Sequence, residues 1–265
     1  MLEYLVYPFM QKAILAAILG GASCGAIGVV VLLTGITLLG TTISHAALAG
    51  ALLGLLLGFN PVVTAFAFAI GVSLLIGPLA DWGKFKLDTA LGIIFSATVG
   101  LVFLLLGLLP GSKSEGLALL WGNILLISHQ QLILMVISTL VALGFIVLFF
   151  KEIQALILGR ELAIASGIPA TRVFYMILVL TGVVITSFYT SFGAMLIFTL
   201  IINPAAAAYQ LTYNLKHMFL LAMLFGVVST LSGLTSAAYL NIPAGAATVL
   251  ASVFLLAGTL AFSKK

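Results

Sequence analysis

The run LLGTTISHAALAGALLG (residues 38–54) is apolar almost throughout, yet it carries Thr41, Thr42, Ser44 and His45. Neutral imidazole is a common ligand for zinc and other transition metals, and hydroxyls add weak oxygen donors. On a helix Thr41 and His45 share a face one turn apart, with Ser44 one turn from Thr41 and beside His45. The trio could therefore touch a passing cation with one nitrogen and two hydroxyls. The plainer alternative is a histidine bonded to a neighbouring helix. Polar residues inside apolar spans tend to line cavities, which favours contact with an ion. A hydrolytic pair is disfavoured, because adjacent residues on one helix diverge by about 100°, which separates Ser44 and His45 rather than pairing them as nucleophile and base. Ala46, Ala47, Ala49, Gly50, Ala51 and Gly54 follow directly. Small residues let helices approach closely, so this helix is expected at a crowded interface.

The remaining polar candidates are neutral too: Tyr189, Asn203 and Ser236. Asn203 precedes Pro204 in LIINPAAAAY. Pro204 frees a backbone carbonyl, and the break either lines a cavity or kinks the helix. His129 and His217 fall at span ends and read as interfacial residues rather than ligands. Cys24 is the only cysteine, so no disulfide forms within the chain, and its apolar setting reads as packing.

The elements that hold these groups are membrane helices. The chain has 265 residues, 63% hydrophobic and 6% charged, with a mean hydropathy of +1.37. Long apolar runs with short polar breaks mean a polytopic membrane protein. The alternation of a barrel is absent, so the fold is all-α. Nine spans are expected, at about 12–33, 38–58, 61–80, 89–109, 129–150, 173–189, 192–209, 218–238 and 243–262; eight, with one re-entrant segment, is the alternative. One transmembrane domain fills 1–265, without room for a soluble catalytic domain. The first ten residues are amphipathic and suit the interface, and MLEYLVYPFMQK lacks the marks of a cleaved signal peptide. No Asp, Glu or Arg lies in the interior of a span, which argues against a proton- or sodium-coupled carrier, since such carriers keep a costly buried carboxylate.

The net charge of +4 is spread among loops, so it sets topology and is no nucleic-acid signal. With the C-terminus in the cytoplasm, Lys84, Lys86, Lys151, Arg160, Arg172, Lys216, Lys264 and Lys265 fall inside, and only Lys12 and Lys113 fall outside. An odd number of spans then puts the N-terminus outside, and 110–128 is external. The longest inside connection, KEIQALILGRELAIASGIPATR (residues 151–172), mixes charge with a stripe of Leu158, Leu162, Ala165 and Ile168 and is stopped by Gly167 and Pro169. It reads either as a surface amphipathic helix or as a docking helix for a cytoplasmic partner. The phosphate-binding GxxxxGK[ST] loop is missing, so any ATP hydrolysis must come from another subunit.

These segments, in order, resemble the membrane permeases of the ABC transporters that take up zinc, manganese or iron in bacteria and archaea. PFMQKAILAAILGGASCGAIGVVVLL is similar to the family's first span. LLGTTISHAALAGALLG is similar to its most specific motif, an Asp-x-x-Ser-His-Ala run followed by small residues. LDTALGIIFSATVGL, LLWGNILLIS, ELAIASGIPA, FGAMLIFTLIINPAAAA and SAAYLNIPAGAATVL resemble its later conserved stretches. The resemblance implies the ABC metal-importer permease fold in a bacterial or archaeal plasma membrane. It implies a permease that is not itself an enzyme and binds no cofactor. Its partners are a second permease copy, two cytoplasmic ATP-binding subunits and an external metal-binding protein. His45 matches the family's metal-contacting histidine, with Thr41 and Ser44 beside it. Arg160, Glu161, Ala165, Ser166 and Gly167 match the ATPase-docking segment, and Asn203, Pro204 and Ser236 are expected to line the pathway. The chain departs from the pattern at Thr41, which stands at the family's Asp, at Asn203, at Asn241 where Asp is common, and at Thr34-Gly35, which replaces a basic pair. Two rival readings are a permease of this fold for a metal chelate or other small solute, and a secondary carrier acting alone. The sequence alone does not identify the metal.

Overall fold

A computed structural model describes residues 7–109, 116, 119, 122, 124, 126–240 and 242–263. Most of the expected N-terminal interfacial segment and of the external segment, together with Lys113, Asn241, Lys264 and Lys265, lies outside the described residues. Eleven described helices follow in order: α1 (Pro8–Leu33), α2 (Leu39–Leu57), α3 (Pro61–Gly83), α4 (Leu87–Leu108), α5 (His129–Leu148), α6 (Phe150–Leu158), α7 (Arg160–Ala165), α8 (Ala170–Phe192), α9 (Ala194–Leu211), α10 (Leu215–Leu240) and α11 (Ala244–Ala261).

Local chemistry sets the helix ends. Pro8 and Pro61 open α1 and α3, where the missing N–H has no intrahelical partner to lose. The Asn60 side chain accepts from the Val62 N–H at 2.9 Å, and Ser128 and Gln131 form a reciprocal capping box on α5. A single residue, Gly193, separates α8 from α9, with φ 77° and ψ 156°, a conformation open essentially to glycine alone.

Eight helices are long and apolar enough to cross a membrane, and the apolar stretch of α9, Leu196–Leu211, is shorter. Its ends nevertheless lie at opposite ends of the bundle. Gln131, at the start of α5, donates to Thr190 just before Gly193 at 3.4 Å. Tyr209, near the end of α9, shares a cavity of about 540 Å³ with Leu33, Phe150 and Lys216, beyond the end of α5. The chain thus traverses the bundle along α9 as it does along α5, giving nine crossings among the described helices. A Cβ on Gly77 would strike the Tyr175 hydroxyl, which sets the end of α3 beside the start of α8. Lys84, Lys86, Lys151, Arg160, Arg172 and Lys216 therefore share one end.

Glycine makes the core close-packed. A side chain on Gly21 would run into the Gly226 backbone, one on Gly25 into the Ala222 carbonyl, and one on Gly28 into the Ile201 carbonyl. These contacts join α1 to α10 and α9, and Thr230 Oγ1 donates across the same seam to the Ala17 carbonyl at 2.8 Å. The small residues after His45 do the same on α2, where Gly50 and Gly54 meet Thr64, Ala65 and Phe68 of α3. The seam yields a prediction. Gly28→Val must push α1 from α9, and overpacking costs about 1–3 kcal/mol. The purified protein should melt at a visibly lower temperature, and unchanged melting would show that the two backbones are not in contact.

Candidate functional site

The imidazole is placed by its own helix. His45 Nδ1 lies 2.9 Å from the Thr41 carbonyl oxygen. A carbonyl can only accept, so Nδ1 carries the proton and Nε2 of the neutral ring keeps its lone pair. A histidine held this way through one nitrogen presents the other as a ligand. The ring packs edge-on against Phe95 of α4, with centroids 5.1 Å apart and planes at 86°. Thr42 ties the same two helices together, its hydroxyl 2.8 Å from the Leu38 carbonyl and 3.3 Å from the Leu91 carbonyl.

Thr41 and His45 are both half-buried on one face of α2, and Thr41 Oγ1 donates to the Leu38 carbonyl at 3.2 Å. Ser44 is fully buried and gives its proton to the Gly40 carbonyl at 2.7 Å, so it does not share their accessible face. Beside Phe95 the outer face of α4 is open: a Cβ at Gly92 or Gly100 meets nothing, and Ser96 is exposed. No group of three or more His, Cys, Asp and Glu side chains converges among the described residues.

The other expected pathway residues lie elsewhere. Asn203 donates from Nδ2 to Ser252 Oγ at 3.0 Å, joining α9 to α11. Pro204 is buried within α9, which continues through it, and Ser236 is half-buried on α10. Tyr189 is fully buried, and its hydroxyl, with those of Thr139 and Ser229, has no hydrogen-bond partner among the described residues. His129 and His217 are exposed in the first turns of α5 and α10.

A second candidate region forms an elbow. One docking helix was expected after residue 151; the chain makes two, α6 and α7, broken at Gly159, whose φ 147° and ψ 128° no L-residue readily adopts. Of the stripe read from the sequence, Leu158, Leu162 and Ala165 turn outward, while Ile168 is half-buried against the core. Leu158 and Leu162 are 73% and 65% exposed, and the buried anchors are Ile153, Leu156 and Ala163. Glu161, Ala165, Ser166 and Gly167 are also exposed. Arg160 is fastened back to α8: its guanidinium reaches Thr171 Oγ1 at 3.3 Å and lies 5.4 Å from the Phe174 ring centroid.

Phe95 was missed by sequence reasoning. The GIIFS run marks its place, but its contact with His45 depends on how α2 and α4 meet, which one chain's periodicity does not state.

The described helices thus make a polytopic membrane bundle with an imidazole inside one span and an exposed elbow at its basic end. The model of the ABC 3 transport family matches residues 6–263, and the chain belongs to that family. It is 32% identical to the manganese transport system membrane protein MntC of Halalkalibacterium halodurans, over 99% of this chain and 90% of that one. It is 30% identical to a probable iron transport system membrane protein of Haemophilus influenzae, over 100% and 97%. Among solved structures it matches PsaBC from Streptococcus pneumoniae, in complex with Fab, at a TM-score of 0.88 and 30% identity, covering 100% of this chain and 95% of that one. An inward-facing putative metal-chelate type ABC transporter shares the fold at a TM-score of 0.78 and 18% identity, over 95% and 85%.

Tyr189 gives a test of which polar groups meet the cargo. A buried hydroxyl without a partner costs about 1–3 kcal/mol, so Tyr189→Phe should stabilise the protein by up to that amount and leave transport intact. Lost transport with unchanged melting would place the hydroxyl in the pathway.

Proposed function

We propose that this chain is the permease of an ATP-driven importer of a divalent transition metal ion, zinc, manganese or iron. The observation that carries this reading is the Nε2 of His45, left without a partner among the described residues by the Nδ1 bond and held on a half-buried face of a membrane span, in a chain whose relatives are named for manganese and iron transport. The whole chain acts as one membrane domain, with the segment 151–172 as its docking element. It works with a second copy of itself, two cytoplasmic ATP-binding subunits and an external metal-binding protein, in the plasma membrane of a bacterium or archaeon. The shared basic end supports a cytoplasmic C-terminus and an external N-terminus. The open face of α4 at Gly92, Ser96 and Gly100 supports close approach of the second copy, since small residues at four-residue spacing admit a neighbouring helix.

In this mechanism the ion arrives from outside and meets Nε2 of His45, which replaces one water of its shell, with the lone pairs of Thr41 Oγ1 beside it. Such a contact must be weak enough to release. The structural coupling starts at the elbow. Its outward residues meet the ATPase, Arg160 transfers the movement to Thr171 and Phe174 of α8, and α8 packs against α2 and α3. A shift of α8 thus reaches the helix that carries His45 and switches access from one side to the other. Asn203, Pro204 and Ser236 are proposed to line a more distant part of the route, with Ser44 supporting His45 from behind.

Removing a group that only orients a metal ligand costs 10–100-fold in affinity or activity. His45→Ala removes the ligand and should lower metal uptake by at least about tenfold, with assembly intact; uptake at the unmodified rate would reduce His45 to a packing residue. Reversing both elbow charges, Arg160→Glu with Glu161→Arg, should reduce substrate-stimulated ATP hydrolysis in the assembled complex. Unchanged stimulation would remove the elbow from the docking surface.

A further inference from the structure

The donors around His45 discriminate among metal ions. The chain has six acidic residues: Glu3, Asp81, Asp88, Glu115, Glu152 and Glu161. The four described ones are all at the basic end: Asp81 at the end of α3, Asp88 in the first turn of α4, Glu152 on α6 and Glu161 on α7. Asp88 is seven residues before Phe95 on α4, roughly 10 Å along the helix axis. Phe95 is the residue that touches the imidazole. No described carboxylate therefore stands level with His45. What that face offers is one imidazole nitrogen and the hydroxyl of Thr41, whose own proton is engaged by the Leu38 carbonyl so that its lone pairs are what remain. The Thr41 carbonyl is already taken by Nδ1.

This is a neutral nitrogen–hydroxyl set. Manganese suits carboxylate, carbonyl and water oxygens, and it stands lowest in the first-row affinity order; imidazole suits zinc, copper, nickel and iron. Zinc has no geometric demand from its d-electrons and accepts four ligands, so one imidazole, a hydroxyl and retained waters serve it. A carboxylate attracts any dication through its charge and so narrows the difference between metals, whereas a lone imidazole widens it. We infer that the membrane step of this permease selects zinc-class divalent ions over manganese. The inference rests on the reading of the chain as a metal-ion permease and adds to it the class of ion.

The external binding protein also selects metals, so the test must hold it constant. The complete transporter, with its ATPases and binding protein, is reconstituted in liposomes and supplied with equal zinc and manganese. Thr41→Asp sets a carboxylate one helical turn from the imidazole. It should move the manganese-to-zinc uptake ratio toward manganese by at least about tenfold, the lower end of what loss of a supporting group costs in metal affinity. Thr41→Asn, close in shape to Asp and uncharged, should move the ratio toward manganese far less than Thr41→Asp does. A ratio unmoved by Thr41→Asp in a transporter that assembles overturns the inference. Should that variant fail to assemble, zinc and manganese are titrated against each other on the unmodified permease–ATPase complex. Zinc should displace manganese, with a preference that falls when His45 is replaced by Ala, and equal occupancy overturns the inference. Uptake of both metals with an unmoved ratio defeats the selectivity alone. Uptake of neither metal by the unmodified transporter defeats the import reading and this inference with it.

Discussion

In hydrocarbon no water is at hand, and every polar group must find its partner inside the protein or cost several kcal/mol. That constraint organises this molecule down to single atoms. It makes all the spans helices, and within them it turns hydroxyls back on their own backbone. Ser23, Ser44, Ser73, Thr181 and Thr186 each donate to the carbonyl four residues earlier at 2.7–2.8 Å. Where hydroxyl or amide side chains reach across helices, as Thr230 does to Ala17 and Asn203 to Ser252, they fasten neighbours. His45 obeys the same rule with Nδ1. Because imidazole has two nitrogens, satisfying one leaves the other committed to nothing on its own helix. The residue is thus both structurally anchored and chemically available, a combination that serine or threonine in a span achieves less sharply.

Packing divides the bundle into a tight core and looser flanks. The most apolar windows of α1, α2 and α8 are each 72% buried, against 22% for α4 and 17% for α11. Glycine at the α1 seams brings backbone onto backbone, and such contacts have little room to deform; interiors packed this densely transmit strain. The candidate site sits where the two regimes meet: His45 belongs to a buried helix and packs edge-on against Phe95 of the open-faced α4. A site in the core would be inaccessible, and one on the flank alone would be held by too few contacts to keep an imidazole oriented.

Much of this was legible from residue order. The nine expected spans map onto nine helices with ends shifted by a few residues: 38–58 became Leu39–Leu57, 192–209 became Ala194–Leu211, and 12–33 gained a turn at Pro8. Apolar length is a local property, so local reading finds it. Thr41 and His45 do share a face, and the imidazole bonds the Thr41 carbonyl of its own helix rather than a neighbouring helix, because the backbone oxygen of the residue one turn back lies nearest to Nδ1. The outward direction of Leu158 and Leu162, the pairing of Asn203 with Ser252 and the ring of Phe95 against His45 were not legible. Each depends on which helix lies opposite, and helical periodicity fixes a face without naming its neighbour. The break at Gly159 was missed for a different reason: a glycine inside a helical pattern is tolerated as often as it is used, and only its φ shows which.

The elbow joins these themes. A surface helix held only by apolar contacts could slide when a partner pushes on it, dissipating the movement. Here Ile153, Leu156 and Ala163 seat the elbow, and Arg160 bridges it to α8 through a hydroxyl and an aromatic face. The planar guanidinium serves both at once, which an ammonium would do less well. The other end of α8 stops at Gly193, where the chain reverses directly into α9. The helix is therefore clamped at the basic end by Arg160 and at the far end by a one-residue hinge, and it touches α2 and α3 between those points. A body fixed at both ends and packed along its side can tilt but cannot readily slide. Under the proposed mechanism, tilt is also the motion that would change access to His45 without breaking the bond between Nδ1 and the Thr41 carbonyl, so the proposed ligand nitrogen would stay aimed while access to it changed.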